Sequence, residues 1–558
     1  MNFDWPNPYP RSRTPLFARN IVSTSQPLAA QSGLRIMALV GNAVDAAIAA
    51  AAVIMQTEPV SNGLGSDNFA LIWDPKQGKL LGLNASGVAP AAWDHGYFTS
   101  RYGSDLPKDR PVRGWDTVTV PGAVAGWVTM HRRLGKLPFA DLFGPAIEYA
   151  ERGFAISPNV QEKWALAVPL LRNQPGFAEH FMPKGRAPEV GEHFTLAGAA
   201  RTLRLIAASG GADFYQGEVA DAIAAHAAAN GGALKKSDLS SFFDGIGSET
   251  GAHWVDPISM PYRAADGKQY ELNEIPPNGQ GIAALIALGI IDRSPRFAET
   301  VAAHGIDSAE VQHLLIEAMK LGFADAYAHV ADRRSMAIEA AELLDGDYLA
   351  SQARRIDEGR AQTFTTGLAP KGGTIYLSAA DESGMMISLI QSNYMGFGSG
   401  VVVPGYGVSL QNRGHGFSLD PKHPNVVTPG RRPFHTIIPA FLTENGQPRM
   451  SFGVMGGNMQ PQGHLQTLVR MLTARQQPQA ACDAPRWKWM QGVSIEIEST
   501  MKPAVADGLA KRGHAMTSGN DSYMDFGAGQ FIWSLGDPGV DGYVVASDPR
   551  RDGQAVGY

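Results

Sequence analysis

The chain has 558 residues, 44% hydrophobic and 18% charged, with a formal net charge of −6; it can bury a large core, and no basic stripe with interleaved aromatics marks it for nucleic acid. Its single cysteine, Cys482, excludes an intramolecular disulfide framework and a cysteine-rich zinc site, and no His-Glu-x-x-His pattern occurs, so neither a metal nor a cofactor is expected. The amino terminus lacks a basic region followed by an apolar one, and the longest apolar run (46–55) falls short of the roughly 20 residues of a membrane span, so a cytoplasmic chain without a membrane partner is expected.

Residues 2–19 are rich in Pro, Arg and aromatics and read as an extended arm over the body. From Leu28 the apolar spacing becomes helical, and Gly41-Asn42-Ala43-Val44-Asp45-Ala46-Ala47 leads into an Ala-rich helix ending near Met55. The loop Glu58-Pro59-Val60-Ser61-Asn62-Gly63-Leu64-Gly65-Ser66 precedes a buried strand, Phe69-Ala70-Leu71-Ile72-Trp73. Its partner Lys79-Leu80-Leu81-Gly82-Leu83 follows a turn at 75–78. A dinucleotide loop needs strand, glycines and then helix; here glycines follow a helix, and Gly396-Phe397-Gly398-Ser399-Gly400 leads into Val401-Val402-Val403-Pro404. Neither loop qualifies.

Residues 119–127 read as a strand end running into a helix, and 141–154, 194–208, 217–230 and 308–330 as amphipathic helices. Tyr270-Glu271-Leu272-Asn273-Glu274 is strand-like, and the loop Pro276-Pro277-Asn278-Gly279-Gln280-Gly281 precedes another helix. The segment 361–373 is polar and rich in Thr and Gly, which predicts an exposed, mobile linker. Beyond it strand-like runs and glycine turns dominate almost to Tyr558, so helices gather before the linker and strands after it.

At the end of that linker, Gly372-Gly373 opens a sterically bare turn and Thr374-Ile375-Tyr376-Leu377-Ser378 begins a strand. The turn 381–384 joins it to Met385-Met386-Ile387-Ser388-Leu389-Ile390, which makes a hairpin running on to Gln391-Ser392-Asn393-Tyr394. A threonine at such a position opens many strands for β-propensity alone. If the Gly373–Thr374 bond is cut, however, Thr374 carries both a hydroxyl nucleophile and a free α-amine that can act as its base.

Several stretches together carry a resemblance. They are Gly41 to Ala47, Glu58-Pro59 with Gly63-Leu64-Gly65, Val120-Pro121-Gly122-Ala123-Val124-Ala125-Gly126, the Thr374 hairpin, Arg432-Pro433, Gly456-Gly457, Ala484-Pro485-Arg486 and Ala546-Ser547-Asp548-Pro549-Arg550. In this order, over residues 19–558, the chain resembles the γ-glutamyltransferases, self-cleaving members of the N-terminal-nucleophile hydrolases. The resemblance implies an α+β fold, a four-layer αββα sandwich formed by two fragments of one self-cleaved precursor, 1–373 and 374–558, that stay together as one structural domain. It implies cleavage between Gly373 and Thr374, Thr374 as nucleophile, Gly456 and Gly457 as oxyanion glycines, and Ser392 in place of a family Thr that hydrogen-bonds the nucleophile. The partner is a small-molecule amide, and a homodimer is the assembly to be tested.

The chain also departs from that family. Where the family holds a glutamyl α-carboxylate with Arg, Asn84-Ala85-Ser86-Gly87-Val88-Ala89-Pro90 has Ser86; where an acid holds the α-amino group, Gly416 precedes Phe417-Ser418; the paired serines become His435-Thr436. A neutral Ser cannot replace a bidentate guanidinium, nor Gly a carboxylate. Arg413, His415 and His435 stand where the family carries other residues. Arg413 is either a surface residue or part of a remodelled pocket, and His435 either a core histidine or a second source of positive charge. The expected substrate-binding set is Arg413, His435, Thr436, Ser86 and Tyr394, for a small acidic acyl group. This pattern resembles the branch containing acylases and oxamate amidohydrolase. The alternative is a γ-glutamyl hydrolase or transferase acting on glutathione, holding glutamate through Arg113 or Arg413.

Overall fold

The structure, a computed structural model, describes residues 3–10, 13–103, 111–294, 296–364, 373–519 and 526–558. Most of the expected linker, at 365–372, lies outside the described residues. Fourteen strands form two seven-stranded sheets. In chain order they are β1 (Leu16–Ala18), β2 (Ile21–Thr24), β3 (Asp67–Asp74), β4 (Lys79–Ala85), β5 (His253–Val255), β6 (Ile258–Arg263), β7 (Gln269–Glu274), β8 (Gly373–Ala380), β9 (Met386–Tyr394), β10 (Ala440–Glu444), β11 (Gln447–Val454), β12 (Gly529–Ser534), β13 (Tyr543–Ser547) and β14 (Gln554–Gly557). The first sheet has the order β14-β2-β8-β9-β3-β4-β5 and the second β1-β13-β12-β11-β10-β7-β6. The expected hairpin is β8–β9, and β3 pairs with β4 as expected.

Alternation along the strands divides the core. Phe69, Leu71 and Trp73 of β3 and Tyr376 of β8 share one apolar cluster with Phe441, Ile532, Tyr543 and Val545 of the second sheet. The intervening residues Ala70, Ile72, Ile375 and Leu377 face a different cluster with helices α1 (Pro27–Ala38), α2 (Ala43–Thr57) and α3 (Ala123–Leu134). Such a period of two places successive side chains on opposite faces. Leu272, Leu442, Phe452 and Trp533 of the second sheet pack in a third cluster with α4 (Gly281–Asp292), α5 (Ala309–His329) and α6 (Met459–Leu472).

Local chemistry sets the helix boundaries. Asn42 and Asp45 form a reciprocal capping box at the start of α2, and Ser308 Oγ accepts the Val311 N–H at the start of α5. Residues 118–121 are not a strand. Val120 N donates to Val88 O, but Pro121 has no N–H and Gly122 N turns to Ser66 O, so no ladder continues. The part after the linker is also less purely β than expected: α6 lies within it, its apolar spacing from Leu465 to Leu472 preceded by Pro461 and Gly463 in the first turns. Among the described residues no helix is long and apolar enough to cross a membrane.

Candidate active site

Thr374 is the second residue of β8 and is 1% exposed. The ladder is irregular there: Gly373 pairs with Tyr394 and Ile375 with Gln391, so one residue on β8 opposes Ser392 and Asn393 on β9. Thr374 Oγ1 and Ser392 Oγ are hydrogen-bonded at 3.2 Å. Ser392 Oγ also accepts the Tyr394 N–H at 2.8 Å.

Three further residues that sequence reasoning missed belong to this site. Gln460, in the first turn of α6, points its Nε2 at Thr374 Oγ1 over 3.5 Å, and its orientation is set by Ile438 N, which donates to Gln460 Oε1 at 2.9 Å. Arg551 Nη2 donates to the Thr374 carbonyl at 3.1 Å while Nη1 pairs with the buried Glu58 at 2.6 Å. Gln280 Nε2 donates to Thr436 O (2.6 Å) and Gly457 O (3.0 Å). Gln460 and Arg551 were detectable only as neighbours of quoted motifs, three residues past Gly457 and one past Arg550.

Gly456 and Gly457 precede α6 with φ of 120° and 61°, a region that favours glycine. Their carbonyls accept the Met459 and Gln460 N–H groups, whereas their own N–H groups meet no acceptor among the described residues. Buried donors without an acceptor are the kind of group that can stabilise a developing oxyanion.

The departing residues gather close by. Arg413 is 1% exposed, so it is not a surface residue. Its Nη1 donates to Thr436 Oγ1 at 2.8 Å and its guanidinium lies 4.7 Å from the Tyr394 ring centroid, while Nε and Nη2 have no hydrogen-bond partner among the described residues. Burial lowers its pKa to about 10, against the pull of Asp67. His435 Nδ1 accepts the Ile437 N–H (3.4 Å), which puts the proton on Nε2, and this donates to Asp67 Oδ2 at 3.2 Å. Burial, together with Arg413 and Arg432, holds His435 well below the usual imidazole range. A lowered imidazole pKa favours the neutral form, which speaks against His435 as a second source of positive charge. Thr436 bridges Arg413 to Gln280.

Asp67, also missed from sequence, is fully buried at the head of β3 opposite Ser392. Its Oδ1 accepts the N–H groups of Gly87 (3.1 Å) and Gly122 (3.0 Å). Burial pushes its carboxyl up to about 7 against the opposing effect of Arg413 and these amides.

Ser86 is enclosed by amides: its Oγ donates to Asn84 Oδ1 (2.8 Å) and accepts from Asn278 Nδ2 (3.2 Å). A Cβ on Gly416 would lie 2.7 Å from Phe434 O, so an acidic side chain there would force the backbone apart. Arg113 donates to the carbonyls of Gly396 and Gly398 and His415 contacts Pro111 O, so Arg113 is spent on a loop. A cleft of about 600 Å³ opens beside Asn84, Asn278 and Arg432. As to metals, the buried atoms of His313, Glu317 and His514 lie within 4.8 Å of one another, but Lys320 Nζ is 2.6 Å from Glu317 and His313 and His514 bond each other at 2.8 Å. An ammonium already neutralises the carboxylate.

The gamma-glutamyltranspeptidase family model matches residues 29–558. The chain is 35% identical to the oxamate amidohydrolase proenzyme of Klebsiella pneumoniae subsp. pneumoniae, across 95% of this chain and 97% of that one. It is 32% identical to the glutathione hydrolase-like YwrD proenzyme of Bacillus subtilis, across 97% and 98%. Among solved structures, a cephalosporin acylase from Bacillus halodurans superposes with a TM-score of 0.90 at 43% identity, covering 99% of this chain and 98% of that one.

Proposed function

Because the chain belongs to the gamma-glutamyltranspeptidase family, we propose that it is a self-processing amidohydrolase that uses Thr374 as nucleophile on a small acyl group bearing one carboxylate. Two sheets sharing one apolar layer, each with helices on its other face, support the four-layer αββα arrangement of N-terminal-nucleophile hydrolases. In the precursor the Thr374 hydroxyl attacks the Gly373 carbonyl, the C–N bond breaks as the ester forms and so frees the α-amine of Thr374, and water then hydrolyses the ester to release the Gly373 carboxylate and restore the Thr374 hydroxyl. An α-amine titrates near roughly 7.7–8.0, so a neutral fraction exists at physiological pH to take the hydroxyl proton. The hydroxyl then adds to the substrate amide carbonyl, with the Gly456 and Gly457 N–H groups as donors to the oxygen. The leaving amine takes the proton, and water resolves the acyl-enzyme.

The substrate reading is carried by one observation, the buried guanidinium of Arg413 with Nε and Nη2 unpartnered. A carboxylate can take both donors in a fork. A γ-glutamyl group brings an ammonium as well, and neither Ser86 nor Gly416 can balance it. Intact-mass measurement is expected to find fragments 1–373 and 374–558, with Thr374→Ala remaining one inactive chain; a cut elsewhere, or activity in the uncut protein, would refute the nucleophile. A panel of simple carboxylated amides, oxamate included, is expected to be hydrolysed faster than glutathione or a γ-glutamyl anilide. The reverse order would restore the γ-glutamyl alternative.

A further inference from the structure

Arg413 and Asp67 are buried neighbours of opposite charge, each the main charged influence on the other. Among the described residues no ion pair joins them within 4.0 Å. Asp67 is instead pinned by the N–H groups of Gly87 and Gly122 and by His435 Nε2, so it balances the Arg413 charge without occupying the guanidinium's free donors. The groups facing Asp67 are Arg413, Arg432, His435 and Tyr215, and Tyr394 faces Arg413. Arg432 has its own counter-charge in Asp332.

A carboxylate docked on Arg413 would put a second anion into a cluster that holds one cation for it. Two carboxylates in one desolvated site do not both stay ionised. We propose that binding of a substrate carboxylate to Arg413 is coupled to uptake of one proton by the Asp67–His435 pair. The balance is one proton from solvent added to the pair and none lost from the ligand, with the Arg413 charge then balanced by the incoming carboxylate in place of the Asp67 carboxylate across the site. The step belongs to the pair as a unit, and the carboxyl is its favoured seat because burial and two arginines disfavour an imidazolium. Asp67 already sits at the edge of titration, pushed up to about 7. The enzyme would then favour acids at and below neutral pH through a residue that never touches them.

This inference rests on Arg413 being the anion receptor, and the test separates the two ideas. Propionate, a monocarboxylate with no scissile bond, is titrated calorimetrically into the processed enzyme from pH 6 to 9, with propanol as the uncharged control. The dissociation constant is expected to rise about tenfold per pH unit above 7, as linkage of one proton requires. The Thr374 α-amine titrates in the same range, so Asp67→Asn, which leaves the amine unchanged, is expected to bind propionate with a flat profile. If that variant does not fold, an infrared difference spectrum of the wild-type enzyme decides: propionate is expected to raise a protonated-carboxyl band, which an amine cannot. A flat wild-type profile, a slope surviving in Asp67→Asn, or no such band overturns the proton coupling. Failure of propionate to bind, or binding unchanged in Arg413→Gln, overturns the receptor itself.

Discussion

Nε and Nη2 of Arg413, a residue that is 1% exposed, are donors with no acceptor among the described residues. Leaving donors of a charged group unpaired on burial is costly, and this is the basis of the proposed receptor role. Arg413→Ala is expected to lower kcat/KM for a carboxylated amide on the order of 10²–10³-fold, the size seen when one member of a buried charge pair is truncated. The loss should be much smaller for the uncharged ester, and self-cleavage should continue. Equal losses for acid and ester would place Arg413 in the scaffold. The contact of Ser392 with Thr374, the proposed nucleophile, gives a second test. Ser392→Ala removes a hydrogen bond worth about 1 kcal/mol and should lower kcat roughly fivefold to tenfold, whereas Ser392→Thr keeps the hydroxyl and should retain activity.

Between residues and the whole fold stand the short elements that hold them. The segment 435–438 ties the site together: His435 reaches Asp67, Thr436 takes Arg413, and Ile438 orients Gln460 towards Thr374. Gln280, just before α4, joins that segment to the oxyanion loop through Thr436 O and Gly457 O. Gln280→Leu leaves both buried carbonyls without this donor and lets the loop drift. Self-cleavage and turnover are then expected to slow together, by about tenfold or more in single-turnover rate, with KM little changed. A rise in KM at constant kcat would assign Gln280 to substrate binding instead. Gly122 shows how little slack β3 and its neighbours have. A Cβ there would meet Ala85 O at 1.9 Å, so Gly122→Ala is expected to displace the amide that holds Asp67 and to destabilise the fold.

At the scale of the molecule the two halves of the chain are interleaved. In the first sheet β8 and β9 lie between β2 and β3, and in the second β10 to β13 are flanked by β1 and β7. After cleavage at Thr374 the fragments are therefore expected to co-elute in size exclusion and to part only in denaturant, because separating them breaks strand pairs in both sheets. Independent elution under native conditions would contradict this. Two buried aspartates should also act oppositely on stability. Asp548, held by Arg486 and Arg550 and by the Gly529 N–H, is lowered to about 2, so its stabilisation is present above the unfolded value of about 3.9 and is lost as pH falls towards 2. Asp67 is raised to about 7, so its ionisation costs stability as pH rises through that value. In thermal unfolding at pH 8, Asp548→Asn should melt below the wild type and Asp67→Asn above it. The first difference should shrink towards pH 2 and the second towards pH 4. An Asp67→Asn protein less stable than wild type at pH 8 would show that its hydrogen bonds outweigh its buried charge.

What the sequence by itself determined was whatever depends on neighbours along the chain: the β3–β4 and β8–β9 hairpins, the helices α2 and α5, and the chemical meaning of a threonine after two glycines. It also exposed the missing partners at Ser86 and Gly416, because a residue type that cannot carry charge is visible without coordinates. It missed α6, whose Pro461 and Gly463 disguise a helical start, and it left Arg413 between surface and pocket. The tertiary structure alone gathered Asp67, Gln280, Gln460 and Arg551 into the site that holds Thr374, from positions 307, 94, 86 and 177 residues away from it along the chain. It alone favours the neutral form of His435. Burial and the field of distant charges are properties of the folded assembly, and no local pattern encodes how much water a side chain will lose.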